Sequence, residues 1–279
     1  MSGRPAGFRA GCVALAASAG LLAATVLLAA VPQEEPLQVV KSGTTLTLYG
    51  VTFASPSAGW AVGGGGTILA TMDGGATWKP QKSGTLVNLF DIMFLDAKHG
   101  WIAGADGTIL STDDGGSTWQ DRPTGNRANL YSVLFLTDKV GWTVGALGTI
   151  LATKDGGRTW AVQESKTHST LFDIAFPDPT VGWIAGNGGV LLQTLDGGGR
   201  WEERSLPQPA DLTGLAFTDF KNGWVVGERG TILRTTDGGF NWTPYGRAPH
   251  ATLYGAVFLN GKQGVAVGDG GTIVRIVVP

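Results

Sequence analysis

Two tryptophan positions recur every 41 residues along this chain, and together they account for all ten of its tryptophans. The first position follows a glycine and is occupied by Trp60, Trp101, Trp142, Trp183 and Trp224. The second closes an Asp-Gly-Gly turn and is occupied by Trp78, Trp119, Trp160, Trp201 and Trp242. In a sixth copy of the first position, Gly264-Val265 has lost the tryptophan. A period of this length with turn signals in every unit predicts a β-propeller, with one four-stranded blade per repeat.

One unit read in full shows how each repeat is built. An inner strand runs from Leu89 to Phe94, and a second strand begins at Trp101 after a short turn. The glycines at 104 and 107 predict a tight hairpin into the third strand, because glycine tolerates positive φ. The Asp-Gly-Gly turn then leads into the fourth strand. The six units therefore predict an all-β, six-bladed propeller of 41-residue blades.

The two ends of the chain are predicted to close the ring. The sixth unit begins at Leu253 and stops before it reaches an Asp-Gly-Gly turn or an outer strand. The segment Lys41-Ser42-Gly43-Thr44 repeats Lys82-Ser83-Gly84-Thr85 at the 41-residue offset. We therefore expect residues 37–41 to complete the last blade, which removes an exposed sheet edge. The propeller then covers residues 37–279.

The first 31 residues have the pattern of a targeting segment. Arg4 and Arg9 precede a run of 20 uncharged residues from Cys12 to Val31. A cleavable signal peptide has an apolar stretch of about 7–15 residues, and a membrane span needs ~20. Both interpretations stay open: a signal peptide cleaved after Ala30, or an uncleaved inner-membrane anchor. Residues 32–36 form a short linker, and the propeller is expected to be exported, to the periplasm or the extracellular space.

Composition limits the chemistry of the exported part. It carries 18 basic and 22 acidic residues, so it lacks the basic surface of a nucleic-acid-binding protein. The only cysteine lies in the targeting segment, and the chain has three histidines. We therefore expect no disulfide, no metal site and no cofactor.

One aspartate recurs at the same place in every Asp-Gly-Gly turn. The five are Asp73, Asp114, Asp155, Asp196 and Asp237. Such a side chain accepts hydrogen bonds from backbone amides just after it, and the glycine pair supplies the positive φ of the turn. A ring of acids that binds metal or sugar is the functional alternative. Because the same side chain recurs in every blade, we interpret these aspartates and the tryptophans that close the turns as structural.

The motifs resemble two known families. The turn Thr-x-Asp-Gly-Gly-x-Thr-Trp resembles the Asp-box, or bacterial neuraminidase repeat, of sialidases. The full unit adds Leu-Phe/Tyr-x-x-x-Phe, Gly-Trp-x-x-Gly and Gly-Thr-Ile-Leu-x-Thr, and it is similar to the photosystem II stability and assembly factor family over residues 37–279. This resemblance implies an exported propeller that binds membrane-protein assembly intermediates and is not an enzyme. Photosynthetic members typically have seven blades and a concentrated arginine patch, whereas this spacing predicts six blades and the arginines are scattered.

The resemblance to sialidases does not extend to their chemistry. A sialidase needs an arginine cluster, a tyrosine nucleophile with a glutamate partner, and an aspartic acid. Tyr49, Tyr131 and Tyr254 share a repeat position with phenylalanines, so we interpret them as core residues, and only Tyr245 is out of phase. The Arg-Ile-Pro signature of sialidase domains is absent. We expect no enzyme activity and keep a sialidase-like glycoside hydrolase as a second alternative.

Positions at which the repeats differ are the candidates for binding. Two loop sets diverge, the hairpins after the second strand and the crossings between blades, and propeller topology places both on one face. We predict that a protein partner binds there, at the mouth of the central channel, through Arg127, His168, His250, Arg247, Tyr245, Glu228 and Arg229. Asp91 and Asp173 occupy an inner-strand position that is otherwise glycine or serine. If this position faces the channel, the two carboxylates are candidates to hold an ion or water.

These features together predict an exported, non-catalytic scaffold or assembly factor for a membrane or envelope protein complex. The first alternative is a carbohydrate-binding propeller of the cell envelope.

Overall fold

The computed structural model describes residues 42–204, 206, 210–247, 253–260, 263–268 and 273–277. The described residues form five four-stranded antiparallel sheets and a sixth sheet of three strands, in chain order. The targeting segment and the predicted closing strand, residues 37–41, lie outside the described residues. In the part of the chain that is described, no helix is long and apolar enough to cross a membrane.

Each sheet is a meander whose strands pair in sequence order. Sheet 1 contains β1 (Leu48–Phe53), β2 (Gly59–Gly63), β3 (Ile68–Thr71) and β4 (Lys79–Gln81). Sheet 2 contains β5 (Leu89–Phe94), β6 (Gly100–Gly104), β7 (Ile109–Thr112) and β8 (Gln120–Asp121). Sheet 3 contains β9 (Leu130–Phe135), β10 (Gly141–Gly145), β11 (Ile150–Thr153) and β12 (Ala161–Gln163). Sheet 4 contains β13 (Leu171–Ala175), β14 (Gly182–Gly186), β15 (Leu191–Thr194) and β16 (Glu202–Glu203). Sheet 5 contains β17 (Leu212–Phe217), β18 (Gly223–Gly227), β19 (Thr231–Thr235) and β20 (Thr243–Arg247). Sheet 6 contains β21 (Leu253–Asn260), β22 (Gln263–Gly268) and β23 (Ile273–Val277).

The sheets are joined by an aromatic contact that uses both tryptophan positions. The second-strand tryptophan stacks on the inner-strand phenylalanine of the next sheet, with ring centroids 3.6 Å apart for Trp60 and Phe94. The same phenylalanine meets the turn-closing Trp119 of its own sheet edge-on at 6.0 Å. Trp60 also donates its Nε1 hydrogen to the carbonyl of Gly115 in the next Asp-Gly-Gly turn. The same indole bond occurs at Trp101 and Trp183, whereas the buried Nε1 of Trp142 has no hydrogen-bond partner among the described residues.

The glycine of the Gly-Trp step is needed for this packing. A Cβ at Gly100 would lie 2.6 Å from the ring of Phe94. The equivalent glycines 59, 141, 182 and 223 lie equally close to the phenylalanine rings of their own sheets. Any side chain at this position would push the phenylalanine away from the tryptophan on which it stacks.

Seams differ in one further contact, which alternates along the chain. Gln81 and Gln163 each accept a hydrogen bond from the turn-closing tryptophan of the next sheet, Trp119 and Trp201 respectively. Arg122 occupies the equivalent position in sheet 2, and its Nε donates to Ser111 of its own sheet instead. Consequently the buried Nε1 of Trp160 has no hydrogen-bond partner among the described residues.

The Asp-Gly-Gly turns, here called boxes, use their carboxylates within the turn. Asp155 accepts hydrogen bonds from the hydroxyl of Thr153 and from the backbone N–H and hydroxyl of Thr159. These bonds, that from the Thr159 N–H foremost, lower the pKa of Asp155 to about 2. In sheet 4 the counterpart of Thr159 is Arg200, so Asp196 loses the second hydroxyl bond. It keeps the bonds from the Thr194 hydroxyl and the Arg200 N–H, and it gains one from the N–H of Gly199.

We expect Asp155→Ala to lower the melting temperature by several degrees and Asp196→Ala to lower it less, because Asp155 accepts a second threonine hydroxyl, from Thr159, where Asp196 has the backbone N–H of Gly199. A lowered folded-state pKa stabilises the fold above the unfolded pKa of about 4, and this contribution is lost as pH falls toward 2. Thermal unfolding of both variants at pH 7 and pH 3 measures the difference. An unchanged melting temperature of Asp155→Ala at pH 7 would contradict the structural role of the boxes.

One face of sheet 1, the first sheet in the chain, is not covered by a neighbouring sheet as the corresponding face of sheet 2 is. The side chains of Leu48, Val51 and Phe53 are 39%, 63% and 37% exposed. Their counterparts in sheet 2, Leu89, Ile92 and Phe94, are at most 8% exposed because they pack on sheet 1. Closure by sheet 6, and with it the count of six blades, therefore stays a prediction.

Val265→Trp tests that closure. By the 41-residue register, Val265 is the counterpart of Trp60, so a tryptophan there would stack on Phe53 if sheet 6 packs on sheet 1. An aromatic pair contributes about 0.5–1.5 kcal/mol beyond the area it buries, so we expect a higher melting temperature. The same substitution combined with Phe53→Ala serves as the control. If the tryptophan stabilises the chain equally without Phe53, the six-bladed closure is wrong.

Candidate functional site

The hairpins and crossings meet at one end of the sheets, here called the loop face. Each of the five described hairpins forms a short 3₁₀ turn, here called a tip, such as Ala105–Gly107. The tip of sheet 2 bonds to the crossing into sheet 3, with the N–H of Gly107 donating to the carbonyl of Ala128 at 2.9 Å. The tip of sheet 3 does the same through Gly148 and Ser169. The boxes lie at the opposite end, here called the box face, where the N–H of Gly115 donates to the carbonyl of Lys98.

The middle residue of each described tip has positive φ, whether or not it is glycine. Glycine occupies this position in sheets 1 and 4, whereas sheets 2, 3 and 5 have Asp106, Leu147 and Arg229, with φ of 56°, 57° and 54°. The left-handed conformation costs a residue with a side chain roughly 1–2 kcal/mol. Leu147 is in addition 74% exposed, so its side chain recovers little of that cost by packing. Leu147 is therefore a candidate binding residue, because a strained and exposed leucine has no evident structural purpose at this tip.

A continuous arc of aromatic rings lies beside the tips, on the inner strands. Tyr49, Phe90, Tyr131 and Phe172 follow one another in successive sheets, with ring centroids 5.6, 5.1 and 5.7 Å apart. Each of the four is the extra residue of a β-bulge, which redirects a side chain out of the regular pleat. Thr213 occupies the same position in sheet 5 and interrupts the arc.

The arc corrects an interpretation made from the sequence. We interpreted Tyr49 and Tyr131 as core residues because they share a repeat position with phenylalanines. Tyr49 is 48% exposed, and Phe90, Tyr131 and Phe172 are half-buried. The side chain of Tyr254 lies outside the described residues. Periodicity alone does not reveal a bulge, and the signal that was available is the Asp, Ser or Gly that directly follows each aromatic residue.

Four of the predicted binding residues lie on the loop face. Arg127 and His168 are exposed at equivalent positions of two successive crossings, and Arg229 is exposed at the tip of sheet 5, next to the half-buried Glu228. The fold therefore brings these side chains to the same end of the sheets as the aromatic arc.

The other three predicted residues are placed differently. Tyr245 and Arg247 belong to the outer strand β20 rather than to a loop, and Tyr245 is half-buried with the guanidinium of Arg234 5.7 Å from its ring centre. Arg247 pairs with Thr231 through the backbone, and its side chain lies outside the described residues, as does His250. Tyr245 is thus a rim residue that packs on its own sheet.

Asp91 and Asp173 are linked through Ser132 along the inner strands. The hydroxyl of Ser132 lies 3.1 Å from Oδ2 of Asp91 and 3.2 Å from Oδ1 of Asp173. Each carboxylate also accepts backbone N–H groups of the next sheet, Val133 for Asp91 and Leu215 for Asp173. One hydroxyl carries one hydrogen, so it bridges two carboxyl groups fully only when one of them is protonated.

The surroundings of this pair favour that extra proton. Desolvation raises the pKa of Asp173 to about 7; the N–H of Leu215 opposes the shift and the charge of Asp91 adds to it. Desolvation also raises the pKa of Asp91. Among the described residues, no group of three or more His, Cys, Asp or Glu side chains forms a metal site. The pair is a polar link between sheets 2 to 5. The carboxylate oxygens of Asp91 and Asp173 already accept hydrogen bonds from backbone N–H groups.

Asp173 makes the stability of the fold depend on pH, at higher pH values than the box aspartates do. A carboxyl whose folded-state pKa is raised to about 7 stabilises the fold below its unfolded pKa of about 4, and this contribution is lost as pH rises from 4 to 7. We expect the unfolding free energy of the native chain to fall between about pH 4 and 7, and Asp173→Asn to flatten that slope. Urea unfolding at several pH values measures it, with Asp113→Asn, an exposed carboxyl, as the control. An unchanged slope in Asp173→Asn would contradict the shared proton.

The sequence matches the model of the family described as photosynthesis system II assembly factor YCF48, over residues 29–89, 83–163 and 161–245. The chain belongs to this family. The matched stretches include the aromatic arc, the five tips and the five boxes. None of the curated protein sequences compared with the chain matches it.

Solved structures with the same fold include two of the YCF48 type. One, described as YCF48 bound to D1 peptide, is 23% identical over 86% of this chain and 96% of its own, with a TM-score of 0.52. YCF48 from Cyanidioschyzon merolae is 20% identical over 85% of this chain and 98% of its own, with a TM-score of 0.50. The GH74 enzyme of Niastella koreensis is 14% identical with a TM-score of 0.66, and the chain spans 44% of its length. At these identities the likeness shows the fold alone.

Proposed function

We propose that this protein is a non-catalytic assembly factor that binds a polypeptide segment of a membrane-protein subunit across its loop face. Membership of the YCF48 family supports the general role, and one solved structure of the YCF48 type is described as bound to D1 peptide. The observation that carries the placement is the aromatic arc, because four solvent-accessible rings in contact form a surface that suits apolar side chains.

The tips and crossings around the arc supply the rest of the proposed surface. Leu147 adds an exposed apolar side chain held in a strained conformation. Arg127, Arg229 and His168 add polar groups, with Glu228 beside them. We include Arg247 and His250 in the proposal on sequence grounds. A surface of rigid aromatic anchors with a mixed polar rim matches the anatomy of protein interfaces.

We further propose that residues 1–31 export the propeller, by a cleaved signal or an anchor, and that its client is met outside the cytoplasm. The charge-free run from Cys12 to Val31 supports this part of the proposal.

Leu147→Gly separates binding from folding. Glycine removes the backbone strain of a left-handed leucine, so we expect the unfolding free energy to rise by up to about 1 kcal/mol. The same change removes an exposed apolar contact, so we expect capture of the membrane-protein client to fall several-fold. The measurement is affinity capture of the tagged full-length chain from its native membranes after mild crosslinking, with quantitative mass spectrometry. Arg127→Glu should weaken capture without changing the melting temperature.

Phe240→Ser is the matched control, because Phe240 is equally exposed but lies in a box on the opposite face. Loss of the client in Phe240→Ser, with normal capture by Leu147→Gly and Arg127→Glu, would place the partner on the box face and refute the proposal. Recovery of envelope polysaccharide alone would favour the carbohydrate-binding alternative.

A further inference from the structure

The outer strands form the rim, and each has one edge without a partner strand among the described residues. Proteins protect such edges with charged residues or proline. Four of the five outer strands of the four-stranded sheets follow this rule: β4 has Lys79 and Pro80, β8 has Asp121, β16 has two glutamates, and β20 has Pro244. The exception is β12, whose sequence is Ala161-Val162-Gln163.

The free edge of β12 can accept another strand. Gln163 pairs with Ile150 and Ala161 pairs with Ala152. In the equivalent pair of sheet 2, the N–H of Arg122 donates to the carbonyl of Ile109. In an antiparallel ladder the residues between such pairs direct their N–H and C=O groups to the other side. The backbone of Val162 therefore faces outward, and its side chain is 77% exposed.

A groove of about 830 Å³ lies next to this edge, between sheets 3 and 4. Its apolar lining includes Trp160, Val162 and Trp201. Gly199 helps to open it, because the same position in the other boxes carries a side chain: Ala76, Ser117, Arg158 and Phe240. This volume is large enough to hold side chains of a strand added along β12.

Two charged residues in the groove occupy positions where other repeats have a structural residue. Lys166 has a φ of 59°, whereas the equivalent crossings have glycine at 43, 84 and 125. Arg200 stands where three other boxes have a threonine and the fourth has Asn241, whose side chains bond to the aspartate. Both substitutions give up local stability and add a cation to the groove. They occur at the same seam as the unprotected strand.

The charge of the groove favours an acidic ligand. Its lining has three cations, Lys154, Lys166 and Arg200, and two carboxylates, Glu164 and Glu202. Glu202 lies 3.4 Å from the guanidinium of Arg204, which offsets its charge. Among the lining residues, Glu164 is therefore left as one negative charge to balance three positive charges.

We propose that the edge of β12 and this groove form a second binding surface, which takes an extended polypeptide segment with alternating apolar residues and an acidic end. The segment adds to sheet 3 as an antiparallel fifth strand, so its acidic C-terminal end lies at the box end of the groove, with Lys154 and Arg200. This surface lies on the rim, apart from the aromatic arc, and it does not depend on the function proposed for the loop face.

The test uses the full-length chain and a short fluorescent peptide in which valine alternates with threonine and the last residues are aspartates. Binding is measured by fluorescence anisotropy, and hydrogen exchange is followed at the Val162 amide. We expect the peptide to slow exchange at Val162, and Val162→Lys to weaken binding at least tenfold because the charged side chain protects the edge. Asp121→Lys, the same position in β8, is the control and should leave the affinity unchanged. Arg200→Glu should weaken binding of the acidic peptide and strengthen binding of a version that ends in lysines.

Three results would overturn the proposal. The first is no binding of the acidic peptide at millimolar concentration. The second is binding that leaves exchange at Val162 unchanged or that Val162→Lys and Asp121→Lys weaken equally. The third is self-association of the native chain that Val162→Lys abolishes, which would identify a second copy as the occupant of the edge. Melting temperatures of the variants, measured in parallel, exclude unfolding as the cause of lost binding.

Discussion

The stack between a second-strand tryptophan and the inner-strand phenylalanine of the next sheet holds the sheets in register. Ring separations of 3.6, 3.9 and 4.5 Å occur at the first three seams. The indole Nε1 extends the contact by bonding to the next box at Trp60, Trp101 and Trp183. This one contact depends on three features of each repeat: the glycine before the tryptophan, the phenylalanine at the end of the inner strand, and the box turn. A change to any of them disturbs the same seam, so the 41-residue unit recurs without an insertion.

Because the seams carry the stability, other positions are able to depart from the repeat. Leu147 and Arg229 replace a tip glycine at positive φ, and Lys166 replaces a crossing glycine in the same conformation. Each departure costs backbone free energy that the fold does not require. These residues lie on the loop face or in the groove beside β12. Both places also have exposed apolar side chains, Leu147 on the loop face and Val162 at the groove.

The inner strands show a polar departure of another kind. Asp91 and Asp173 bond to backbone N–H groups of the following sheets, and Ser132 connects them. The pair lies just inside the aromatic arc, one residue further along the same strands. The raised pKa of Asp173 makes the stability of the fold depend on pH up to the neutral range, whereas the contribution of a box aspartate such as Asp155 is lost only in acid.

Much of the architecture is predictable because the repeat is regular. The two tryptophan phases predicted the sheets, their strand order and the box turns, since each depends on contacts that recur every 41 residues. The divergent tips and crossings were predicted to share a face, and the hydrogen bonds from Gly107 and Gly148 place them together. Only the tertiary structure decided that Tyr49 and Tyr131 leave the core at bulges, because a bulge changes the direction of a side chain without changing the spacing of the sequence. The structure also decided that Tyr245 lies in a strand and packs on Arg234. It decided too that Val162, Lys166 and Arg200 line one groove, because residues from two sheets become neighbours only when the sheets pack.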